Sequence, residues 1–302
     1  MLVTVHSQVV DPDVLIPSAE GIEDTEIKIP TPWIFENSHI ADTFCTEGWP
    51  MESGDFRDFF WLLNSYYTEL NEPGTKDIVC DMNASQTISL PKKNWKVSSR
   101  EYFAHLMRSQ GMMLRVLMET IYYNFKNGQA QESKIHFPVS GFKQVYVIGG
   151  QRHSSIPDGA AMIGPRERRL PIISFAGWYE GQTWGEFLGE ILSIMLGQLA
   201  RNISGGYEDQ EVFVIGFYER CIYIARGLFG KELISRVHVK GCTEDDTVEL
   251  QFTRGYDLSL REDWFEAISA LAKLLRYLLS GNAKMSALKA YLHKAADPPE
   301  CL

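Results

Sequence analysis

Ser154-Ser-Ile-Pro-Asp158-Gly-Ala-Ala-Met162 and Leu170-Pro-Ile-Ile-Ser-Phe-Ala-Gly177 are the two runs of sequence that decide the fold of this chain. Residues 159–163 and 171–176 are mainly apolar, and the turn between them, 164–169, holds glycine, proline and charged side chains. Two short apolar runs joined by such a turn are typical of a β-hairpin. We therefore predict two paired strands with one carboxylate, that of Asp158, at the mouth of the hairpin.

Helical patterns lie on both sides of this hairpin. Apolar residues recur at spacings of three and four after the capping boxes Ser98-x-x-Glu101 and Thr183-x-x-Glu186, and a third box, Ser259-x-x-Glu262, precedes the last long pattern. A serine or threonine with glutamate three residues later satisfies backbone N–H groups at the start of a helix. The predicted helices span 53–70, 98–125, 183–201, 259–281 and 284–293.

Strand patterns occupy much of the remaining sequence after residue 99. β-branched and apolar residues predict strands at 144–148, 212–217, 221–225, 237–240 and 248–252. We expect one sheet to contain 144–148, 159–163, 171–176 and 212–217, with the 183–201 helix packed on a face. This alternation predicts an α/β protein with a mixed central sheet flanked by helices.

The N-terminal third differs in composition from the rest of the chain. Residues 1–98 carry 16 acidic and 6 basic side chains, whereas residues 99–302 carry 23 of each. Prolines interrupt residues 1–52, and 78–90 has the polar composition of a connector. We predict an acidic N-terminal arm with a short initial strand and a helix. Its aromatic content is too high to leave in water, so we expect it to pack as an extension on the 99–302 core.

Composition limits the class of protein and its location. A chain of 302 residues that is 45% hydrophobic has the size for a large core. Its five cysteines show no C-x-x-C spacing, which argues against a disulfide framework or a zinc site. Neither an apolar run of membrane-spanning length nor a signal-peptide pattern occurs, so we expect an intracellular protein, cytoplasmic or nuclear, that is not bound to a membrane. The net charge of −10 disfavours nucleic acid as a partner.

Pro157-Asp158, followed by a strand, a turn and a second strand opening Pro171-Ile-Ile, resembles the PD-(D/E)xK nuclease superfamily, in the form seen in many uncharacterised fungal proteins. The resemblance covers about residues 99–280 and includes Tyr256-Asp-Leu258, which leads into the last long helix. It implies a restriction-endonuclease-like core with the order αβββαβ and an N-terminal extension. It also implies phosphodiester hydrolysis by two carboxylates that hold Mg²⁺ and a lysine that positions the attacking water, with Asp158 as the first metal ligand.

The second half of the family motif, Glu-x-Lys, is missing from the second strand. Phe175 stands at the position of the glutamate and Gly177 at that of the lysine. One aspartate supplies too little charge to dehydrate Mg²⁺ appreciably, so we predict no metal ligand set and no cofactor. Magnesium would be required only if a displaced carboxylate completes the site. Glu180 is the first candidate for it, and Glu101 or Glu119 on the preceding helix could add another.

Several other residues near the hairpin are candidates for a site. His153 is a candidate acid or base, Arg152 beside it a candidate ligand contact, and Phe175, Trp178 and Tyr179 candidate walls of an apolar pocket. The arginines of the turn, Arg166, Arg168 and Arg169, resemble a phosphate contact. Each has a structural alternative: Pro-Asp-Gly is a common turn, a lone histidine is often a hydrogen-bonded residue, an arginine cluster is often a solvated hairpin tip, and aromatic residues often cover a core edge.

Three functions remain open on this sequence. The first is a nuclease-like domain without nuclease activity, which binds a protein, a small molecule or, less favoured by charge, nucleic acid. The second is an enzyme acting on a small molecule, in which the emptied metal site has become an apolar pocket. The third is a metal-dependent nuclease that uses Glu180.

Overall fold

The computed structural model describes residues 2–17, 56–70, 83, 85–89, 104–125, 135–139, 142–203, 208–243, 245–258 and 260–296. The helices are α1 (Pro12–Leu15), α2 (Arg57–Glu69), α3 (Ala104–Phe125), α4 (Trp184–Asn202), α5 (Lys231–Lys240), α6 (Arg261–Leu279) and α7 (Ser286–Ala296). The strands are β1 (Leu2–Val9), β2 (Ser85–Ser89), β3 (Ile135–His136), β4 (Gln144–Ile148), β5 (Gln151–Ser155), β6 (Gly159–Ile163), β7 (Leu170–Ala176), β8 (Gln210–Tyr218), β9 (Cys221–Phe229), β10 (Thr247–Phe252) and β11 (Tyr256–Asp257).

A mixed sheet runs through the described part of the chain in the order β2-β1-β10-β9-β8-β7-β6-β3, with β11 paired to β9. Strands β1 and β10 are parallel, as are β7 and β8, whereas the other neighbours are antiparallel. The parallel pair β7–β8 is joined through α4, because parallel neighbours need a crossover rather than a tight turn. The prediction of a mixed sheet flanked by helices is therefore confirmed.

The sheet separates two apolar clusters, since successive side chains of a strand point to opposite faces. On β8, Phe213 and Ile215 enter the cluster formed with α2, α3, α6 and α7, while Val212 and Val214 enter the cluster formed with α4, β4 and α5. Every residue of β8 is buried. A strand buried on both faces needs a continuous apolar run rather than strict alternation, which is the pattern the sequence has there.

The hairpin at 159–176 is confirmed, with Gly159 opposite Phe175 and Ile163 opposite Leu170. The capping box before α4 is also confirmed. The Thr183 hydroxyl accepts a bond from the Glu186 backbone N–H at 3.3 Å, and the Glu186 carboxylate accepts one from the Thr183 backbone N–H at 2.9 Å. The strands of the next hairpin, β8 and β9, meet at a two-residue turn in which Glu219 has φ 52°.

The prediction that 144–148 belongs to the main sheet is wrong. This strand, β4, pairs with β5 in a separate two-stranded sheet. The connecting residues Gly149 and Gly150 both have positive φ, 56° and 73°, which suits a two-residue hairpin turn. The polar strand Gln151–Ser155 has no apolar alternation to reveal it. The position beside β6 in the main sheet belongs to the two-residue strand β3.

Two other segments differ from the sequence prediction. Residues 237–240 are not a strand but the last turn of α5, which ends at Gly241 with φ 87°. The apolar residues Leu233, Ile234 and Val237 have helical spacing, and tertiary packing of that face outweighs the β-branched content. Residues 85–89, predicted as part of a polar connector, form β2 at one edge of the sheet.

The N-terminal residues that the structure describes are integrated with the rest of the fold. β1 pairs with β10 on one side and β2 on the other. On α2, Phe59 and Phe60 contact the ring of Trp264 on α6, with ring centroids 5.5 and 4.8 Å apart. Ser53, the box Ser98-x-x-Glu101 and Ser259 lie outside the described residues. α6 begins after Leu260, whose side chain makes no capping bond.

Candidate functional site

Asp158 lies immediately before β6, half-buried, and its carboxylate is bonded to the end of β7. Its Oδ2 accepts a hydrogen bond from the backbone N–H of Gly177 at 2.7 Å. Its own backbone N–H donates to the carbonyl of Phe175 at 2.9 Å. Asp158 therefore closes the open end of the β6–β7 hairpin, where a regular ladder bond is replaced by a side-chain acceptor.

Gln110 on α3 bonds to the backbone of Trp178, the residue that follows Gly177. Its side chain is fully buried, its Nε2 donates to the carbonyl of Trp178 at 2.7 Å, and its Oε1 accepts from the Trp178 backbone N–H at 2.6 Å. Both backbone groups of a buried residue beyond the strand end are thereby satisfied. Sequence reasoning missed Gln110. The available signal was a polar residue on an apolar helix face, three and four positions before Met113 and Leu114.

Two glycines permit this close contact between α3 and the end of β7. A Cβ atom on Gly111 would lie 2.4 Å from the backbone oxygen of Asp158. A Cβ on Gly177 would lie 3.0 Å from Oε1 of Gln110, 3.1 Å from Oδ2 of Asp158 and 3.2 Å from Cβ of Met107. The position at which the family motif has lysine is consequently packed against α3 on the side where a side chain would begin.

Phe175 and the candidate substitute carboxylates lie in different surroundings. Phe175 is fully buried in the cluster with α2, α3 and α6, and its ring covers Gly159, where a Cβ would come within 2.7 Å of it. Glu180 is exposed on the turn after β7, next to Gly181 with φ 81°. The carboxylate of Glu119 is 3.3 Å from Nε of Arg115 on the same helix. Glu101 lies outside the described residues.

The aromatic residues predicted as one pocket wall are not all brought together. Trp178 belongs to the cluster with α4, on the other face of the sheet from Phe175. Its ring centroid is 5.9 Å from that of Tyr218, and its Nε1 donates to the carbonyl of Gln182 at 3.4 Å. Tyr179 is buried. These residues cover the core at the carboxyl ends of β7 and β8.

His153 and Arg152 lie on β5 in the two-stranded sheet. The His153 ring is 3% exposed and stacks on Tyr146, its cross-strand neighbour, with centroids 5.7 Å apart and planes at 17°. Arg152 is exposed. In the turn between β6 and β7, Arg166 and Arg168 are exposed and Arg169 is half-buried. None of these side chains belongs to the Asp158 and Gln110 contacts that close the hairpin.

A cavity of about 330 Å³ lies between α4, α5, β4 and the main sheet, at a place sequence reasoning did not indicate. Leu192 and Leu196 of α4 form one wall, Val147 of β4 and Val237 of α5 form others, and Val3 and Val248 of the sheet form the floor. The polar side chains of the lining are those of Tyr146, His238 and Cys242. It was missed because β4 was predicted in the wrong sheet, and the last turn of α5 was predicted as a strand.

In the part of the chain that the structure describes, no three histidine, cysteine, aspartate or glutamate side chains are grouped as metal ligands would be. The described helices likewise include none with the length and apolar character to cross a membrane. The sequence matches no protein-family model and no curated protein.

Proposed function

We propose that this protein is a nuclease-like domain that does not hydrolyse phosphodiester bonds and acts by binding another molecule. The observation that carries the proposal is the bond between Asp158 Oδ2 and the Gly177 backbone N–H, at 2.7 Å. Through this bond Asp158, the one carboxylate of the family motif that the sequence contains, stabilises the end of the hairpin. The net charge of −10 favours a protein or small molecule over nucleic acid as the partner.

The order of elements around Asp158 supports the nuclease-like part of the proposal. α3, β3, β6, β7, α4 and β8 follow one another as αβββαβ, with β3, β6 and β7 antiparallel and β8 parallel to β7. The two-stranded sheet β4–β5 is inserted between the first and second strands of this series. This is the order that the resemblance implies, with β3 as its first strand in place of 144–148.

The residues around Asp158 do not fit the magnesium site of an active member. Mg²⁺ takes oxygen ligands in a near-octahedral arrangement and is usually held by carboxylates. One oxygen of Asp158 already accepts a backbone N–H, Phe175 offers a buried ring, and Gly177 faces Gln110 and Met107. A side chain at 177 would crowd Gln110, whose two bonds hold Trp178, because its Cβ would lie 3.0 Å from Oε1 of Gln110.

Cleavage assays test this proposal. Purified protein is incubated with single- and double-stranded DNA and RNA in Mg²⁺ or Mn²⁺, beside the Asp158→Ala and Glu180→Ala variants. We expect no metal-dependent cleavage from any of the three proteins. Cleavage by the natural sequence that disappears in both variants would overturn the proposal, because it would show that Glu180 completes a working metal site.

A further inference from the structure

Hydrogen bonds fix the positions of α4, α5 and β4 around the cavity. Tyr146 on β4 shares a buried hydrogen bond of 2.9 Å with Ser193 on α4. The backbone N–H groups of Gly149 and Gly150 donate to the carbonyls of Val237 and His238 at 2.9 and 3.2 Å. The hairpin tip is thus bonded to the last turn of α5, and the middle of β4 to α4.

These bonds, together with close contacts at two corners, prevent the apolar walls of the cavity from packing against one another. A Cβ on Gly149 would lie 3.3 Å from Cα of Gly241, so backbone meets backbone at this corner. At the other corner, a Cβ on Gly197 of α4 would lie 2.5 Å from Oγ of Ser155 on β5. Close contacts at both corners fix the distance between α4 and α5. Protein interiors are otherwise close-packed, which makes a preformed apolar space of this size a candidate ligand site.

We propose that this cavity binds a mainly aliphatic small molecule with one polar end and roughly a dozen non-hydrogen atoms, judged against an engineered 150 Å³ cavity that binds benzene. The volume of about 330 Å³ sets the size. No aspartate, glutamate, lysine or arginine side chain of the described residues lines the cavity, so its walls suit an apolar chain. His238, which is exposed, and Cys242, which is half-buried, place the polar end of the ligand at the mouth.

The inference goes beyond the proposed function and does not depend on it, because neither Asp158 nor the residues it bonds to, Phe175 and Gly177, line the cavity. Decan-1-ol is the probe, with decane-1,10-diol as the control of the same chain length. We expect one decan-1-ol to bind per chain by calorimetry and to raise the Tm, and decane-1,10-diol to bind about tenfold more weakly or worse, because its second hydroxyl would be buried among apolar side chains. No binding of decan-1-ol up to its solubility limit, or equal binding of decane-1,10-diol, would overturn the proposal.

A pair of variants on α4 locates the binding. Ala200 lines the cavity and is exposed, so Ala200→Trp fills the mouth without disturbing the buried core. Arg201 is exposed and does not line the cavity, so Arg201→Trp is the matched control. Ala200→Trp is expected to weaken decan-1-ol binding by about tenfold or more and Arg201→Trp to leave it unchanged. Equal binding by both variants would place the ligand elsewhere and contradict the assignment.

Thiol labelling decides the question should Ala200→Trp fail to fold. Cys242 lines the cavity, whereas Cys221 does not. Decan-1-ol is expected to slow the reaction of Cys242 with N-ethylmaleimide, followed by peptide mass spectrometry, and to leave Cys221 unaffected. An unchanged rate at Cys242 in the natural sequence would show that the cavity is not occupied.

Discussion

The carboxylate of Asp158 accepts a 2.7 Å hydrogen bond from the backbone N–H of Gly177, across the open end of the β6–β7 hairpin. In an active nuclease of the superfamily proposed above, these two positions would hold a metal ligand and the lysine that positions water. In this protein the two residues are hydrogen-bonded to each other. The bond satisfies a backbone donor just beyond the last ladder pair, so the aspartate has a physical reason to be present that involves no metal.

Replacement of Asp158 separates this structural task from a catalytic one. Asp158→Ala removes the acceptor for the Gly177 N–H and should lower the free energy of unfolding by about 1–3 kcal/mol. Asp158→Asn keeps a side-chain oxygen and should lower it by less than half as much. Urea denaturation measures both. Equal losses for the two variants would show that the oxygen at this position does not stabilise the hairpin end.

Gln110 should be more sensitive than Asp158, because both of its bonds are buried. Gln110→Leu leaves the N–H and carbonyl of Trp178 without their partners and should destabilise the protein by about 2–4 kcal/mol. Ser109→Ala, the neighbouring change on α3, removes a single 3.2 Å bond to the carbonyl of His105 and should alter stability by about 0.5 kcal/mol or less. A small loss of stability for Gln110→Leu would show that water satisfies the Trp178 N–H and carbonyl in place of the glutamine, and that the two bonds contribute little.

Two glycine-to-alanine changes test the close contact between α3 and Asp158. Alanine at an exposed helix position normally gains about 1 kcal/mol over glycine. Gly111→Ala should instead destabilise, because its Cβ would lie 2.4 Å from a backbone oxygen that moves only with β6. Gly185→Ala on α4 is the control, since its Cβ would meet only Oε1 of the half-buried Gln86 side chain. Thermal melting of the two variants should give shifts of opposite sign, and a gain from Gly111→Ala would refute the contact.

Much of this region could be predicted from sequence and some of it could not. The β6–β7 hairpin and α4 followed from apolar runs, a turn and a capping box, because local chemistry specifies them. The hairpin β4–β5 did not, since β5 is polar and its sheet depends on contacts with α4. α5 was misassigned because β-branched residues in its last turn have strand propensity, which packing against the sheet overrides.

The candidate site could also be predicted only in part. Asp158 was identified from Pro-Asp-Gly and its place before a strand. Its bond to Gly177 and the support from Gln110 depend on the distance between α3 and β7, which no local pattern contains. The separation of Phe175 and Trp178 on opposite faces of the sheet is what strand alternation requires at a spacing of three, so the prediction that both line one pocket overlooked this period.

Cys242 gives the protein a measurable pH dependence. Burial, with a smaller contribution from Asp246, raises the pKa of its thiol from 9.0 to about 11. The folded state therefore keeps this proton to a higher pH than the unfolded chain, so its contribution to stability is full below pH 9.0 and is lost as the pH rises toward about 11. Denaturation at several pH values should show this decline, and Cys242→Ser should make it shallower. A decline of equal slope in Cys242→Ser would assign it to other groups.

Titration of Mn²⁺ into the protein by isothermal calorimetry tests the central claim most directly, because it measures binding of a metal ion at the site itself. Asp158→Ala serves as the reference. If Asp158 is a structural residue, the natural protein and Asp158→Ala give the same heats and neither shows saturable binding. Saturable binding of Mn²⁺ to the natural protein that is absent from Asp158→Ala would contradict the account and restore Asp158 as a metal ligand.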